Sequence, residues 1–254
     1  MVIDAHTHLG AKTFVGTAEG LVASMDKSGV DVSLVFAGKI NGVTNQQLLE
    51  AIRPYSGRLY GVGSVSPLEK DAADRDIRKL LESQAIRGLK FYPGYEYFYP
   101  YDECVRPFLD VLQSTGRPAI FHGGDTFSGI RASKLKYVHP LHLDEIAVDF
   151  PKLKIVIAHF GYPWQNDAAE VVYKNQNVYV DCSGLVYGDF TPESEGDFRR
   201  VVDDYVRVAG STERILFGTD WPIGHQSSYL AVARRVFGDD ERIFSGNAQK
   251  LFGL

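Results

Sequence analysis

The sequence predicts an α/β protein, a single-domain (β/α)8 TIM barrel with slight distortion, as one domain over residues 1–254. Three observations carry this. Short β-branched runs recur eight times at a spacing of roughly thirty residues, with helical patterns between them. Most of the runs are apolar at odd and even positions alike, as strands covered on both faces of a parallel sheet should be. The first run ends in "HTHLG", without the glycine-rich phosphate turn that often opens a doubly wound sheet.

The strands are expected at "VIDAHTHL" from Val2, "VSLVFAGK" from Val32, "LYGVGSVSP" from Leu59 and "IRGLKFYP" from Ile86. They continue with "RPAIFHGGD" from Arg117, "KIVIAHFG" from Lys154, "VYVDCSGL" from Val178 and "ILFGTDWP" from Ile215. Among the helices, "AEGLVASMDKSGV" sets Leu21, Val22 and Met25 on one face and stops near Gly29. "TNQQLLEAIRPYSG" has Thr44 as its N-cap, and Pro54 with Gly57 punctuate its end. "KDAADRDIRKLLESQ" is charged outside and apolar at Ile77, Leu80 and Leu81. "PLHLDEIAVDFP", "DAAEVVYKN", the stretch 192–209, "SSYLAVARRVFG" and the tail from Asp239 supply the rest. No linker, low-complexity tract or repeat calls for a second domain.

The formal net charge of −5 gives no support to a nucleic-acid or membrane-surface partner, so an anionic substrate would need a local basic group. Cys104 and Cys182 fit neither a disulfide framework nor a metal-binding spacing, and read as reduced thiols. The start has no basic segment leading into an apolar stretch, and no run is long enough to span a bilayer. These features predict a cytoplasmic protein that takes a small-molecule substrate, with a homodimer as the assembly to test.

In a parallel barrel the chemistry gathers at the C-terminal ends of the strands. Strand one ends His6-Thr7-His8, strand four at Lys90, strand five at His122, strand six at His159 and strand eight at Asp220. Glycine or proline follows each: Gly10, Pro93, Gly123, Gly161 and Pro222. Residues two apart in a strand share a face, so His6 and His8 point together from Cα atoms roughly 6–7 Å apart. By the same parity Asp4 joins them, Ile155 and Ile157 share the face of His159, Ile120 that of His122, and Leu216 with Gly218 that of Asp220. Each residue alone admits a plainer role: a hydrogen-bonded core histidine, a lysine stem packed on apolar neighbours, an aspartate capping a turn. Their joint placement favours a metal site. His139, His142 and His225 read as ordinary loop or helix histidines.

The loop "YPGYEYFYPYDE" collects Tyr92, Tyr95, Tyr97, Phe98, Tyr99 and Tyr101, either as an aromatic wall for a planar substrate or as a loop packed on its neighbours. Tyr92, Arg131 and Trp221 are the expected substrate contacts, with Lys134 and Lys136 near Arg131 but assigned mainly to solvent. Asp181 and Ser183 can reach the mouth from strand seven, with no role assigned to either.

The succession "DAHTHLG", "GLKFYP", "FHGGD", "IVIAHFG" and "ILFGTDWP", ending in "SGNAQKLFGL", resembles the amidohydrolase superfamily of metal-dependent hydrolases. Within it the chain is similar to the amidohydrolase-2 branch, which also contains non-oxidative decarboxylases. The resemblance covers essentially the whole chain. It implies that His6, His8, His122 and Asp220 hold a divalent ion; three imidazoles with a carboxylate suit Zn2+, and the set, not being soft, also admits manganese or iron. In mononuclear members the residue at His159 stands beside the metal-bound water. In binuclear members a carboxylated lysine at the position of Lys90 bridges two metals, with His122 and His159 on the second. One zinc-like ion is the expectation.

In such a site Asp220 acts as general base and His159 polarises a substrate oxygen or passes a proton to the leaving group. Hydrolysis of an amide, lactone or ester in a small carbonyl compound is therefore expected. The alternative is decarboxylation of an aromatic or unsaturated acid at the same site. A barrel acting only as a scaffold should show a damaged ligand set, and none of the positions is missing.

Overall fold

The computed structural model describes residues 1–11, 15–38, 40–69, 75–127 and 129–254. Part of the third predicted helix, residues 70–74, lies outside them. Eight parallel strands pair in chain order: β1 Ile3–His8, β2 Val32–Phe36, β3 Leu59–Ser64, β4 Ile86–Phe91, β5 Ala119–Phe121, β6 Ile155–Ile157, β7 Val178–Asp181 and β8 Ile215–Leu216. Backbone hydrogen bonds close the ring. Ala5 N–H donates to Phe217 O at 2.8 Å, His8 N–H to Trp221 O at 2.7 Å, and Asp220 N–H to His6 O at 2.8 Å. A two-residue ribbon, Gly10–Ala11 against Val15–Gly16, follows β1.

Around the ring run α1 Ala18–Ser28, α2 Asn45–Ile52, α3 Arg75–Glu82, α4 Arg106–Thr115, α5 His142–Asp149, α6 Gln165–Lys174, α7 Pro192–Ala209, α8 Gln226–Phe237 and the terminal α9 Asn247–Phe252. Helix α1 stops where Gly29 takes a left-handed φ of 76°. Thr44 accepts from Gln47 N–H while the Gln47 side chain accepts from Thr44 N–H, a capping box worth about 1 kcal/mol. Helix α4 is absent from the helices expected above. Its signals are nonetheless present: Pro107 in the first turn, apolar Phe108, Leu109, Val111 and Leu112 on one side, and Gly116 as a left-handed stop. None of the described helices is long and apolar enough to cross a membrane.

The core has two parts. Ile3, Leu34, Phe36, Val62, Ile120, Val156 and Leu216 fill the barrel, and Leu251 and Phe252 of α9 close its lower end. A larger shell between strands and helices takes Val35, Leu89, Phe91, Phe121, Ile155, Ile157 and Phe217. This division corrects two parity expectations. The register of β1 against β2 shifts between Asp4 and Thr7. His6 therefore lies tilted over inward-facing Phe36 and His8 meets it edge-on, with ring centroids 4.2 and 5.5 Å away. Asp4 turns outward instead and accepts from Gln226 of α8 at 2.8 Å. A bulge adds one residue and flips every side chain beyond it. On β6, Ile155 and Ile157 belong to the outer shell, so His159 does not continue their face. It reaches the mouth only because the chain leaves the strand in a short turn, Ala158–Gly161, with positive φ at His159 (60°) and Phe160 (53°).

Candidate active site

The mouth of the barrel gathers His6 and His8 from β1, Lys90 from β4, His122 after β5, His159 after β6, Asp181 and Ser183 around the end of β7, and Asp220 beyond β8. All are buried except His159, which is half-buried. His6, His8 and Asp220 bring two ring nitrogens and a carboxylate oxygen close enough to grip one cation, and His6, His159 and Asp181 form a second such group. His8 Nε2 lies 3.0 Å and His6 Nε2 3.7 Å from Asp220 Oδ1.

Hydrogen bonds set the state of each ring. His6 Nδ1–H donates to Asp181 Oδ2 at 2.8 Å, which leaves Nε2 as a lone pair. That atom is buried without a hydrogen-bond partner. His8 Nδ1 is 2.7 Å from the amide of Asn41. Either end of an amide can face that nitrogen, so Asn41 can hold His8 in the tautomer that donates to Asp220 or in the one that frees Nε2. His159 N–H donates to Asp181 Oδ1 at 3.0 Å, and its Nδ1 faces Ser183 Oγ at 2.9 Å. Ser183 Oγ–H in turn donates to Asp181. One carboxylate thus ties two histidines from different strands.

Burial, followed by the charge of Lys90, pushes His6 down to about 3. Burial also lowers His122 and His159. Burial acts to raise Asp181 and Asp220. Hydrogen bonds and the field of the neighbouring imidazoles outweigh it and hold both below the usual carboxylate range. Neutral imidazoles beside ionised carboxylates are the protonation states that bind a divalent cation.

His122 is placed differently. Its Nε2–H donates to Asp125 O at 2.9 Å, and the residue belongs to neither group of converging donors. Its ring centroid is 5.2 Å from that of His159. Lys90 Nζ is buried with no hydrogen-bond partner among the described residues.

Above these groups lies a cavity of about 180 Å³ whose walls include Tyr92, Tyr95, Phe127, Leu185, Tyr187 and Ile223. The tyrosine loop divides its labour. Tyr92 and Tyr95 line the cavity, whereas Tyr97 and Tyr99 pack on Tyr137, and Tyr99 and Tyr101 on His142. Phe98 enters the core. Of the other expected substrate contacts, Arg131 is exposed and outside the cavity lining. The Trp221 ring is turned toward Gly16 and Gly20, where it fills the shell beside α1. His142 donates to Lys136 O, while His139 and His225 lie near Asp167 and Asp189, away from the cluster.

The residues that sequence reasoning left without a role are Asp181 and Ser183. Asp181 is a carboxylate at the end of an apolar strand, the same signal that singled out Asp220. Its partners, however, come from β1 and β6 and are visible only once the ring is closed.

The fold and its polar mouth define a parallel-barrel protein with a cation-binding type of centre. The chain matches the amidohydrolase family (Amidohydro_2) over residues 3–254 and belongs to it. Protein fluG of Emericella nidulans is 26% identical over 181 residues, which are 67% of this chain. The chain spans 20% of the length of that curated relative. A probable 2-pyrone-4,6-dicarboxylic acid hydrolase from Acinetobacter baumannii has a similar structure, with a TM-score of 0.74 at 17% identity over 100% of this chain and 99% of that one. Dihydroxybenzoic acid decarboxylase from Polaromonas sp. JS666, solved with manganese, gives 0.72 at 16% over 100% and 97%. At these identities the likeness is one of fold.

Proposed function

We propose that the protein is a metal-dependent hydrolase that cleaves an amide, lactone or ester bond in a small carbonyl compound. The observation that carries this reading is the buried meeting of His6 Nε2, His8 Nε2 and Asp220 Oδ1, in which His6 Nε2 has no hydrogen-bond partner among the described residues and Asp220 Oδ1 faces both imidazoles. Buried polar atoms normally have partners, so a bare imidazole nitrogen facing a buried carboxylate fits an ion. The donor set, imidazoles with one carboxylate, fits Zn2+ among divalent ions. His6, His8 and Asp220 would hold it. His122 would join them after giving up its bond to Asp125 O. A single ion is proposed because, among the described residues, His159 groups with His6 and Asp181 and not with His122.

When bound, such an ion supplies a water acidic enough to attack at neutral pH and a positive centre for the oxygen that gains charge. The protein's own groups do the rest. Asp220, held ionised, accepts the proton of the attacking water. His159, with Nδ1–H anchored on Ser183, has Nε2 as its bare ring nitrogen at the cavity, so it would take the proton that Asp220 collects from water and hand it on to the leaving group. The aromatic walls exclude bulk water.

Decarboxylation of an aromatic or unsaturated acid is the second reading, favoured by Tyr95, Phe127 and Tyr187 at one cavity. One experiment tests both. Chelator treatment should abolish turnover, and added zinc should restore it. A panel of lactones, amides and esters should yield new acid. Carbon dioxide from hydroxybenzoates, without hydrolysis of the panel, would transfer the assignment to the second reading. Chelator-resistant turnover would end both.

A further inference from the structure

The cavity is electrostatically lopsided. Among its described lining residues Lys90 is the one lysine or arginine, against Asp125 and Asp220. Lys90 is 1% exposed, and its Nζ has no hydrogen-bond partner among the described residues. The Phe36 and Tyr92 ring centroids lie 5.2 and 5.5 Å from it. Burial lowers its pKa, with Asp181 and Asp220 opposing. A buried cation short of acceptors is costly, and a ligand oxyanion is the group that would relieve it.

Tyr92 and Tyr95, two of the tyrosines that line the same cavity, differ in what they have left to give. Tyr92 Oη–H donates to Ala37 O at 2.9 Å, so its proton is committed. Tyr95 Oη instead accepts from Phe127 N–H at 2.7 Å, which leaves its own proton as a donor. The Tyr95 ring leans on His122 with centroids 4.9 Å apart, and burial raises its pKa to about 12, so it keeps that proton. Of Tyr92 and Tyr95, the one with a hydrogen bond to offer is therefore Tyr95.

We propose that Lys90 and Tyr95 form an anion subsite, and that the substrate is a carbonyl compound carrying a single carboxylate held there. This rests on the hydrolase reading of the same site and adds the substrate class to it. Lys90 pairs with the carboxylate, and Tyr95 donates to one of its oxygens. A second carboxylate would sit in a largely buried cavity that offers no further cation among the described residues, and leaving it unpaired is costly.

The test uses the zinc-loaded protein and calorimetric titration with three unreactive probes: benzoate, benzamide and isophthalate. Benzoate should bind about tenfold more tightly than either of the others, the size of effect that one charge-assisted pair supplies. Lys90→Gln should erase the preference for benzoate over benzamide, Lys90→Arg should retain it, and Tyr95→Phe should weaken benzoate binding about threefold to tenfold. Zinc per chain should be unchanged in all three variants. Undetectable benzoate binding, equal binding of benzoate and benzamide, or a preference that survives Lys90→Gln overturns the subsite. Isophthalate binding as tightly as benzoate overturns the single charge. Zinc lost together with the preference makes Lys90 part of the metal centre and overturns the assignment too. None of these readouts requires turnover, so the subsite can fail while chelator-sensitive hydrolysis stands, and the reverse.

Discussion

Asp181 Oδ2 accepts from His6 Nδ1–H at 2.8 Å across 175 residues of sequence. Its other oxygen accepts from His159 N–H. A carboxylate behind an imidazole fixes which nitrogen is bare and makes that nitrogen a better donor to a cation. Asp181→Asn keeps the shape and removes the charge, so zinc affinity should fall about 10–100-fold. Competition with a chelating dye measures this. An affinity equal to wild type would show that His6 is oriented without Asp181.

Gly184 has a φ of 71°, and a Cβ there would lie 2.5 Å from His159 Nδ1 and 3.1 Å from Asp220 Oδ2. Gly184→Ala must therefore displace the acid–base pair itself. The left-handed backbone adds about 1 kcal/mol of strain, a melting shift of roughly 2–4 °C in a chain of this size. The folded variant should turn over about 100-fold more slowly, since small misplacements at a reacting centre have that effect. Turnover near the wild-type rate would mean that His159 and Asp220 tolerate the shift.

The ring of strands and the ends that carry ionisable groups were legible because both signals are local. Apolar runs mark buried parallel strands, and a histidine or aspartate that interrupts one before glycine or proline stands out. What could not be read depends on pairing across the fold. Alternation in β1 suggested that Asp4 shares the histidine face, but the bulge is a property of how β1 meets β2. His159 owes its position to two successive positive-φ residues, which ordinary side chains seldom adopt and no local pattern announces. Trp221 looked like a ligand contact from its neighbour Asp220; the left-handed Asp220 (φ 63°) instead sends the indole to the outer shell. Helix α4 had legible start and stop signals that lay next to the more conspicuous tyrosine loop.

The three nitrogens expected to share one ion are not equivalent. His6 Nε2 is bare, whereas His122 Nε2 is engaged by Asp125 O. His6→Ala should abolish zinc retention through gel filtration, while His122→Ala should keep a measurable fraction. Asp220→Asn should keep part of the metal while losing turnover, because the amide cannot accept the proton of water. Metal analysis of the three variants decides the matter. Equal loss in His6→Ala and His122→Ala would place His122 in the ligand set from the outset, and full activity in Asp220→Asn would remove it as the base.

Asp4 lies outside the barrel interior yet braces the site. It accepts from Thr219 N–H at 3.0 Å, Thr219 Oγ1–H at 2.7 Å and Gln226 Nε2–H at 2.8 Å, and so fixes the residue before Asp220. Burial raises its carboxyl from 3.8 to about 7 against the pull of those donors. Because the folded pKa exceeds the unfolded one, its protonation favours the fold fully below about pH 4, and that contribution is lost as pH rises through about 7. Asp4→Asn cannot titrate. Relative to that variant, wild type should lose about 2 kcal/mol of unfolding free energy between pH 5 and pH 7. Urea titrations at both values measure the difference. A gap between the two proteins that stays constant with pH would show that Asp4 is ionised throughout, stabilised by the donors of Thr219 and Gln226 more strongly than burial disfavours it.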